Sequence, residues 1–379
     1  MLDGPDGASL ANWQTPPHNR SAFHHVGEFI ASAGIANDPA HVSALVRRPR
    51  VAGQSLGRHM FLDATATDAM VVLVDGKIAF ESYRNGNDAH TPHILMSATK
   101  AVVGLLAGLL QHAGELDSDA PVSHYVPEIA QTPYQGATIR HLLDMRTGVA
   151  LNSVQLRAYQ AATNWVPAEP HEAGADLRTW FSQLSGPGAR HGGNFRYVSA
   201  NTDLLGWAIE RATGQSVASL LSTRLWKPMG AEHGAFVTVD RQGLARCTGG
   251  LCATARDFAR VGQLLLDGGV RDSRVVVPGA LINDLWTGGD PEAWRKGEWA
   301  RAFAPIAQNM RYRSGWYVID DAPGTLFAMG IHGQNLFIDR TNRIVMAKFS
   351  SWPKPIDSAA LGLTHKAFGI LQRGRGTLF

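Results

Sequence analysis

The sequence predicts an α+β fold: an antiparallel sheet assembled from strands at both ends of the chain, flanked by helices, with a mainly helical region inserted in the middle. Three observations predict it. Two β-rich runs meet at an Asp-Gly turn near residue 75. A second set of β-rich runs fills residues 311–349. Between them, apolar residues fall at helical spacing, as in Leu204, Leu205, Trp207, Ala208 and Ile209.

The chain has 379 residues, 45% of them hydrophobic, enough for one large or two moderate units with a real core. A net charge of +3 with no basic stripe among aromatics points away from nucleic acid. Two cysteines, Cys247 and Cys252, are too few for a disulfide framework or a zinc ribbon, and they are expected to be reduced, small apolar residues. Met1–Asp6 has no basic and no apolar leader character, and the long apolar run after Lys100 breaks at Gln111-His112. A soluble, cytoplasmic protein that does not enter a membrane is therefore expected.

In chain order, residues 1–20 read as an extended arm, since Pro16-Pro17 blocks a helix. Ser21–Ala33 reads as a short amphipathic helix, and the chain then looks irregular to Thr67. Ala69–Val74 and Lys77–Tyr83 form a hairpin about Asp75-Gly76. A loop from Arg84 to Pro92 leads to Leu95–Lys100, and Ala101–Leu110 is too apolar for a surface helix. Thr138–Met145 is helical, stopped by Arg146-Thr147-Gly148, while Leu151–Arg190 shows little pattern. Thr202–Thr213 is helical and ends at Gly214. Strands are expected at Arg311–Ile319 and Thr325–Ile331 around an Asp320–Gly324 turn, then at Asn335–Ile338 and Arg343–Phe349, with Ser358–Gln372 as a closing helix. The expected organisation is an arm (1–20), a sheet region (21–95 and 236–379) and a helical region (96–235), with the active site at their interface.

The most chemical stretch is Ser97-Ala98-Thr99-Lys100. Three residues apart on a helix, a serine and a lysine share one face, and the buried run behind them keeps water away. Desolvation pushes such a lysine toward its neutral form, which can take a proton from the serine. Spacing alone is a weak signal, because Ser351-Trp352-Pro353-Lys354 repeats it between prolines, where no helix can form. Gly53-Gln54-Ser55-Leu56-Gly57 imitates a nucleophile elbow, but no apolar strand precedes it and no helical pattern follows. Zinc-protease, P-loop and dinucleotide patterns are absent, so neither a metal nor a cofactor is expected.

Tyr197-Val198-Ser199-Ala200-Asn201, just before a helix, reads in isolation as a surface turn with a cap. Paired with Ser97 and Lys100 it becomes a second chemical element: a phenol whose pKa a nearby lysine lowers can act as a phenolate base and return the proton later.

With these two elements the chain resembles the serine β-lactamase-like family of class C β-lactamases, DD-peptidases and esterases. Asn12–Arg20, Leu95–Lys100, Tyr197–Asp203, Gly330–Leu336 and Ser350–Pro353 narrow the likeness to its 6-aminohexanoate-dimer (nylon oligomer) hydrolase branch and the esterases beside it. The resemblance implies the β-lactamase-like fold and an acyl-enzyme mechanism. It makes Ser97 the nucleophile, Lys100 its activator and Tyr197 the general base. The backbone N–H groups of Ser97 and Ile331 would form the oxyanion hole. Tyr159, Ser199, Asn201, Trp316 and His332 would touch substrate. The family's Lys-Thr-Gly strand falls on Ala328-Met329-Gly330, so its lysine is missing, which disfavours a dedicated β-lactamase or DD-peptidase. Val149–Trp165 holds no Asp or Glu to grip a substrate ammonium, which favours small esters over linear amides. A penicillin-recognising protein on the same fold is the alternative. The implied partner is a small ester or amide, and a homodimer is left open.

Overall fold

The computed structural model describes residues 4–48, 56–172, 174–321 and 324–374. Its main sheet has seven strands: β1 (Thr67–Val74), β2 (Lys77–Tyr83), β3 (Met310–Arg313), β4 (Trp316–Ile319), β5 (Thr325–Gly330), β6 (Gln334–Asp339) and β7 (Ile344–Ser350). They run in the order β2-β1-β7-β6-β5-β4-β3, every neighbour antiparallel. The pairing of β1 with β7 joins the two ends of the chain.

Every residue of β1 is buried, so both faces of the sheet must be covered. The strand's alternation sorts its side chains between two cores. Ala69, Val71 and Leu73 join the core that holds the serine helix (Thr99–His112) and the Ala255–Leu266 helix. Met70, Val72 and Val74 join the core under the C-terminal helix (Ser358–Arg373). A four-stranded sheet of Ser32–Ile35, Ala235–Thr238, Leu251–Ala253 and His93–Ile94 stands beside the main one. Among the described residues no helix is long and apolar enough to cross a membrane.

Several elements differ from the sequence expectation. The first residues are no extended arm: Trp13 is buried, and Asn19 Nδ2 donates to the carbonyls of Ser351 (3.3 Å) and Trp352 (3.2 Å). Ser21–Ala33 is not one amphipathic helix but a short turn of helix at Val26–Glu28 leading to the strand Ser32–Ile35. Leu56–Ala64 is helical where irregular chain was expected; Gly53, Gln54 and Ser55 of the elbow imitation lie outside the described residues. Leu151–Arg190 contains two helices, Ser153–Ala162 and Leu177–Gln183. Arg311–Ile319 is a hairpin rather than a single strand, turning at Ser314 (φ 50°) and Gly315 (φ 85°). In the following turn, Ala322 and Pro323 lie outside the described residues.

That unexpected hairpin presses on the serine helix. A Cβ on Gly104 would lie 1.8 Å from the Ser314 carbonyl oxygen, so only glycine lets the turn seat there. The close approach fixes the serine helix against the end of the sheet.

Candidate active site

Ser97 sits in a turn of 3₁₀-helix (Met96–Ala98) that feeds the serine helix. Its N–H therefore belongs to a helix N-terminus, where the dipole favours negative charge. Met96 holds the left-handed region (φ 46°), a conformation that costs a non-glycine residue roughly 1–3 kcal/mol and persists only where packing enforces it. Packing does so here: a Cβ on Gly330, at the end of β5, would lie 2.5 Å from the Leu95 oxygen and 3.0 Å from the Ser97 nitrogen. Glycine thus brings the end of β5, and Ile331 after it, alongside the Ser97 backbone. Two amides pre-aimed at one oxyanion are the usual stabiliser of acyl transfer.

Lys100 is buried, with Nζ 2.9 Å from Ser97 Oγ and 2.8 Å from the Thr248 carbonyl. Burial pushes its pKa well below the usual lysine value; Arg246 adds to the effect and Asp203 opposes it. The amine thus stands within hydrogen-bond reach of both the serine hydroxyl and the Thr248 carbonyl, with burial favouring its neutral form.

Tyr197 approaches from the other side. The Lys100 ammonium position lies 4.9 Å from its ring centre, and its hydroxyl hydrogen-bonds with Ser97 and Ser199. Its ring stacks on Trp299 with centroids 4.3 Å apart, and its N–H donates to Glu298 Oε1 at 2.7 Å. Burial pushes the phenol above its usual value, although the Ser97 hydrogen bond and Arg246 pull it down. Burial thus works against the expected phenolate, since the same desolvation weakens the lysine charge that would lower the phenol. A neutral phenol between the serine and a leaving atom can relay a proton rather than store a negative charge.

The Thr248 carbonyl is held from behind. Its N–H donates to Asp203 Oδ1 (2.8 Å), and its hydroxyl donates to the Ser199 carbonyl. Asp203 Oδ2 accepts from Arg246 and from the Tyr159 hydroxyl, and all three side chains are buried. Tyr159 therefore serves a buried ion pair as much as a pocket.

Two cavities meet at Ser97. One of about 800 Å³ includes Ser97, Tyr197, Trp299, Met329 and Leu361 in its wall. A smaller one of about 210 Å³ includes Ser97, Tyr159, Trp165, Arg246 and Thr248. Ser199 and Ile331 border both. Three of the expected substrate residues border neither. Asn201 is buried, its Oδ1 accepting from Tyr134 (3.0 Å) and Thr147 (3.2 Å), so it pins the start of the Ala200–Thr213 helix. Trp316 is fully buried in the core because β4 turns it toward the serine helix. His332 is fully buried; its Nδ1 donates to the Trp352 carbonyl at 2.7 Å and its ring meets Phe23 edge-on. The Ser351 hydroxyl donates to Asp68 (3.0 Å), and Lys354 is exposed, so the second Ser-x-x-Lys spacing makes no site.

The beta-lactamase family profile matches residues 58–369. The chain belongs to the beta-lactamase family. Within that family it is 35% identical over 355 residues to the 6-aminohexanoate-dimer hydrolase of Paenarthrobacter ureafaciens, covering 92% of this chain and 89% of the relative. It is 29% identical over 161 residues to Esterase EstB of Burkholderia gladioli, 40% of each chain. A solved Bacillus anthracis chain carrying the 6-aminohexanoate-dimer hydrolase name superposes with a TM-score of 0.84 over 98% of both chains at 24% identity, a likeness of fold. The family and these relatives make the chain a hydrolytic enzyme with a small-molecule substrate, and a serine hydrolase.

Sequence reasoning missed four residues of this site: Asp203, Arg246, Thr248 and Trp299. Thr248 acts through its backbone, which leaves no signature in residue type. Asp203 and Arg246 are a buried pair separated by 43 residues, recognisable only once folded. Trp299 lies in a stretch without pattern.

Proposed function

We propose that this enzyme hydrolyses small, uncharged esters through an acyl-enzyme on Ser97. The observation that carries the reading is the Ser97 hydroxyl 2.9 Å from a buried, charge-starved Lys100. Lys100 takes the serine proton as Oγ attacks the ester carbonyl, the Ser97 and Ile331 amides receive the oxyanion, and Tyr197 passes the proton to the departing oxygen. Water then releases the acid by the reverse relay. In this reading the reaction lies at the seam between the sheet region (21–95 and 236–379) and the helical region (96–235). Two free, buried cysteines fit a reducing, cytoplasmic compartment.

Esters are favoured over the charged linear dimer for which the relative is named. The wall of the small cavity carries no carboxylate, and its one charged side chain, Arg246, is already paired with Asp203. An ammonium group entering there meets no counter-charge and loses its hydration. The missing strand lysine at Ala328 likewise removes a partner for a substrate carboxylate, which disfavours the penicillin-recognising alternative. The test is labelling with a fluorophosphonate and turnover of p-nitrophenyl acetate by wild type and Ser97→Ala. One covalent adduct on Ser97 and loss of both signals in the variant are expected. Equal labelling and turnover by the two proteins would refute the reading.

A further inference from the structure

The two cavities that share Ser97 are unlike, and the difference bears on which half of an ester goes where. Tyr197 borders the large cavity and not the small one. The departing alcohol oxygen must lie beside the group that protonates it, so the leaving group points into the large cavity. The acyl group then occupies the small one, closed by Trp165, Tyr159 and Thr248.

The large cavity is mostly apolar in its lining, with Asp321, Lys366 and Arg373 as the charged residues on its wall. Tyr197 stacks on Trp299, and Trp299 and Phe303 stack on Tyr317, giving the cavity an aromatic wall. The C-terminal helix adds Leu361 and Phe368 to the wall. The cavity is continuous with the reaction centre and about four times the volume of its neighbour.

We propose that the preferred substrates are short-acyl esters of long, apolar alcohols, with the alcohol chain laid between the aromatic wall and the C-terminal helix. This rests on the esterase reading above. In the step concerned, Ser97 Oγ bonds to the acyl carbon, the bond from that carbon to the alcohol oxygen breaks, and the serine's proton leaves with the alcohol through Tyr197. The chain never enters the acyl-enzyme, so every acetate ester passes through one acetyl-enzyme. Chain length is therefore read in kcat/KM, while kcat converges wherever deacylation limits.

The experiment measures kcat/KM for ethyl, butyl, hexyl and octyl acetate, and for the ethyl esters of acetic, butyric and octanoic acids. Burying a methylene is worth about fourfold, so a rise on the order of a hundredfold is expected from ethyl to hexyl acetate. The acyl series is expected to fall beyond butyrate. Gly362→Phe supplies the second arm: Gly362 borders the cavity, and a Cβ there meets nothing within 4 Å, so a ring fits at the cavity wall without a clash. It is expected to lower the octyl-to-ethyl acetate ratio at least tenfold, whereas Leu363→Phe, at an exposed position one residue on, leaves the ratio alone. A flat alcohol series, a gain that follows the acyl chain instead, or a Gly362→Phe ratio equal to wild type would overturn the proposal. Fluorophosphonate labelling of Ser97 separates the two failures: labelling with a flat series leaves the esterase reading standing, and no labelling with no turnover removes that reading as well.

Discussion

In the proposed relay, Lys100 and Tyr197 divide the proton work between two groups that burial moves in opposite directions. The amine is pushed toward neutrality and the phenol is held protonated. Activity should follow: kcat/KM for an acetate ester rises with pH through the depressed lysine pKa, then stays level into the alkaline range because Tyr197 keeps its proton. A pH–rate profile from 5 to 10 checks this. A second rise above pH 9 that Tyr197→Phe abolishes would restore the phenolate base that sequence reasoning expects. Lys100→Met and Tyr197→Phe should each cost about 10²–10⁴-fold in kcat, the usual share of a positioned acid or base. Lys100→Arg should be as inactive as Lys100→Met, since a guanidinium does not give up its proton. Asp203 acts one step removed. Asp203→Asn leaves buried Arg246 without its counter-charge, and chemical denaturation should show a loss of roughly 3–5 kcal/mol.

At the scale of elements, β7 carries a second buried lysine. Lys348 donates to Thr65 O at 3.4 Å and to Ser350 Oγ, and burial pushes its pKa from 10.5 to about 7. Below pH 7 folding must bury the ammonium, so the cost to stability is full there. The cost fades as pH rises toward 10.5, where the unfolded chain also gives up its proton. Lys348→Met should therefore stabilise the protein at pH 6 by on the order of a few kcal/mol, with the margin shrinking toward zero by pH 10.5. Urea titrations at pH 6, 8 and 10 measure it. The legible elements were those that announce themselves locally. Asp75-Gly76 turns with positive φ at both residues, and Gly214 ends its helix in the left-handed region, as their residue types suggest. The Ser153–Ala162 helix was missed, because its weak apolar pattern outweighed the Asn152-x-x-Gln155 capping box that starts it. The Ser314-Gly315 turn was not, because β-rich residues run through both sides of it without a gap. In the site, Ser97, Lys100 and Tyr197 stand in short local motifs. Trp316 was misplaced because a residue's neighbourhood in sequence does not say which face of a strand it takes, and His332 because it lies in the tight turn after β5, at φ 60°, where its ring folds back on the Trp352 carbonyl.

At the scale of the molecule, segments far apart in sequence close one chamber. Trp13 Nε1 donates to the Trp165 carbonyl at 2.9 Å, the two indoles meet edge-on at 5.2 Å, and Gln14 joins the wall of the small cavity. Trp13→Ala should cost about 3–5 kcal/mol as a buried large-to-small change. It should also raise KM for ethyl acetate more than it lowers kcat, since it loosens a wall and leaves Ser97 and Lys100 in place. Steady-state kinetics beside a thermal melt separate the two effects.

The Trp13–Trp165 contact has a further consequence. The stretch common to the family spans residues 58–369, and Trp13 and Gln14 stand outside it. The proposed serine, lysine and tyrosine lie inside that stretch, while part of the wall of the smaller chamber comes from the opening segment before it. Such a segment can be exchanged or rewritten without touching a bond-making atom. A change at Gln14 would then reshape the smaller chamber from a stretch that holds none of the groups proposed to make or break bonds.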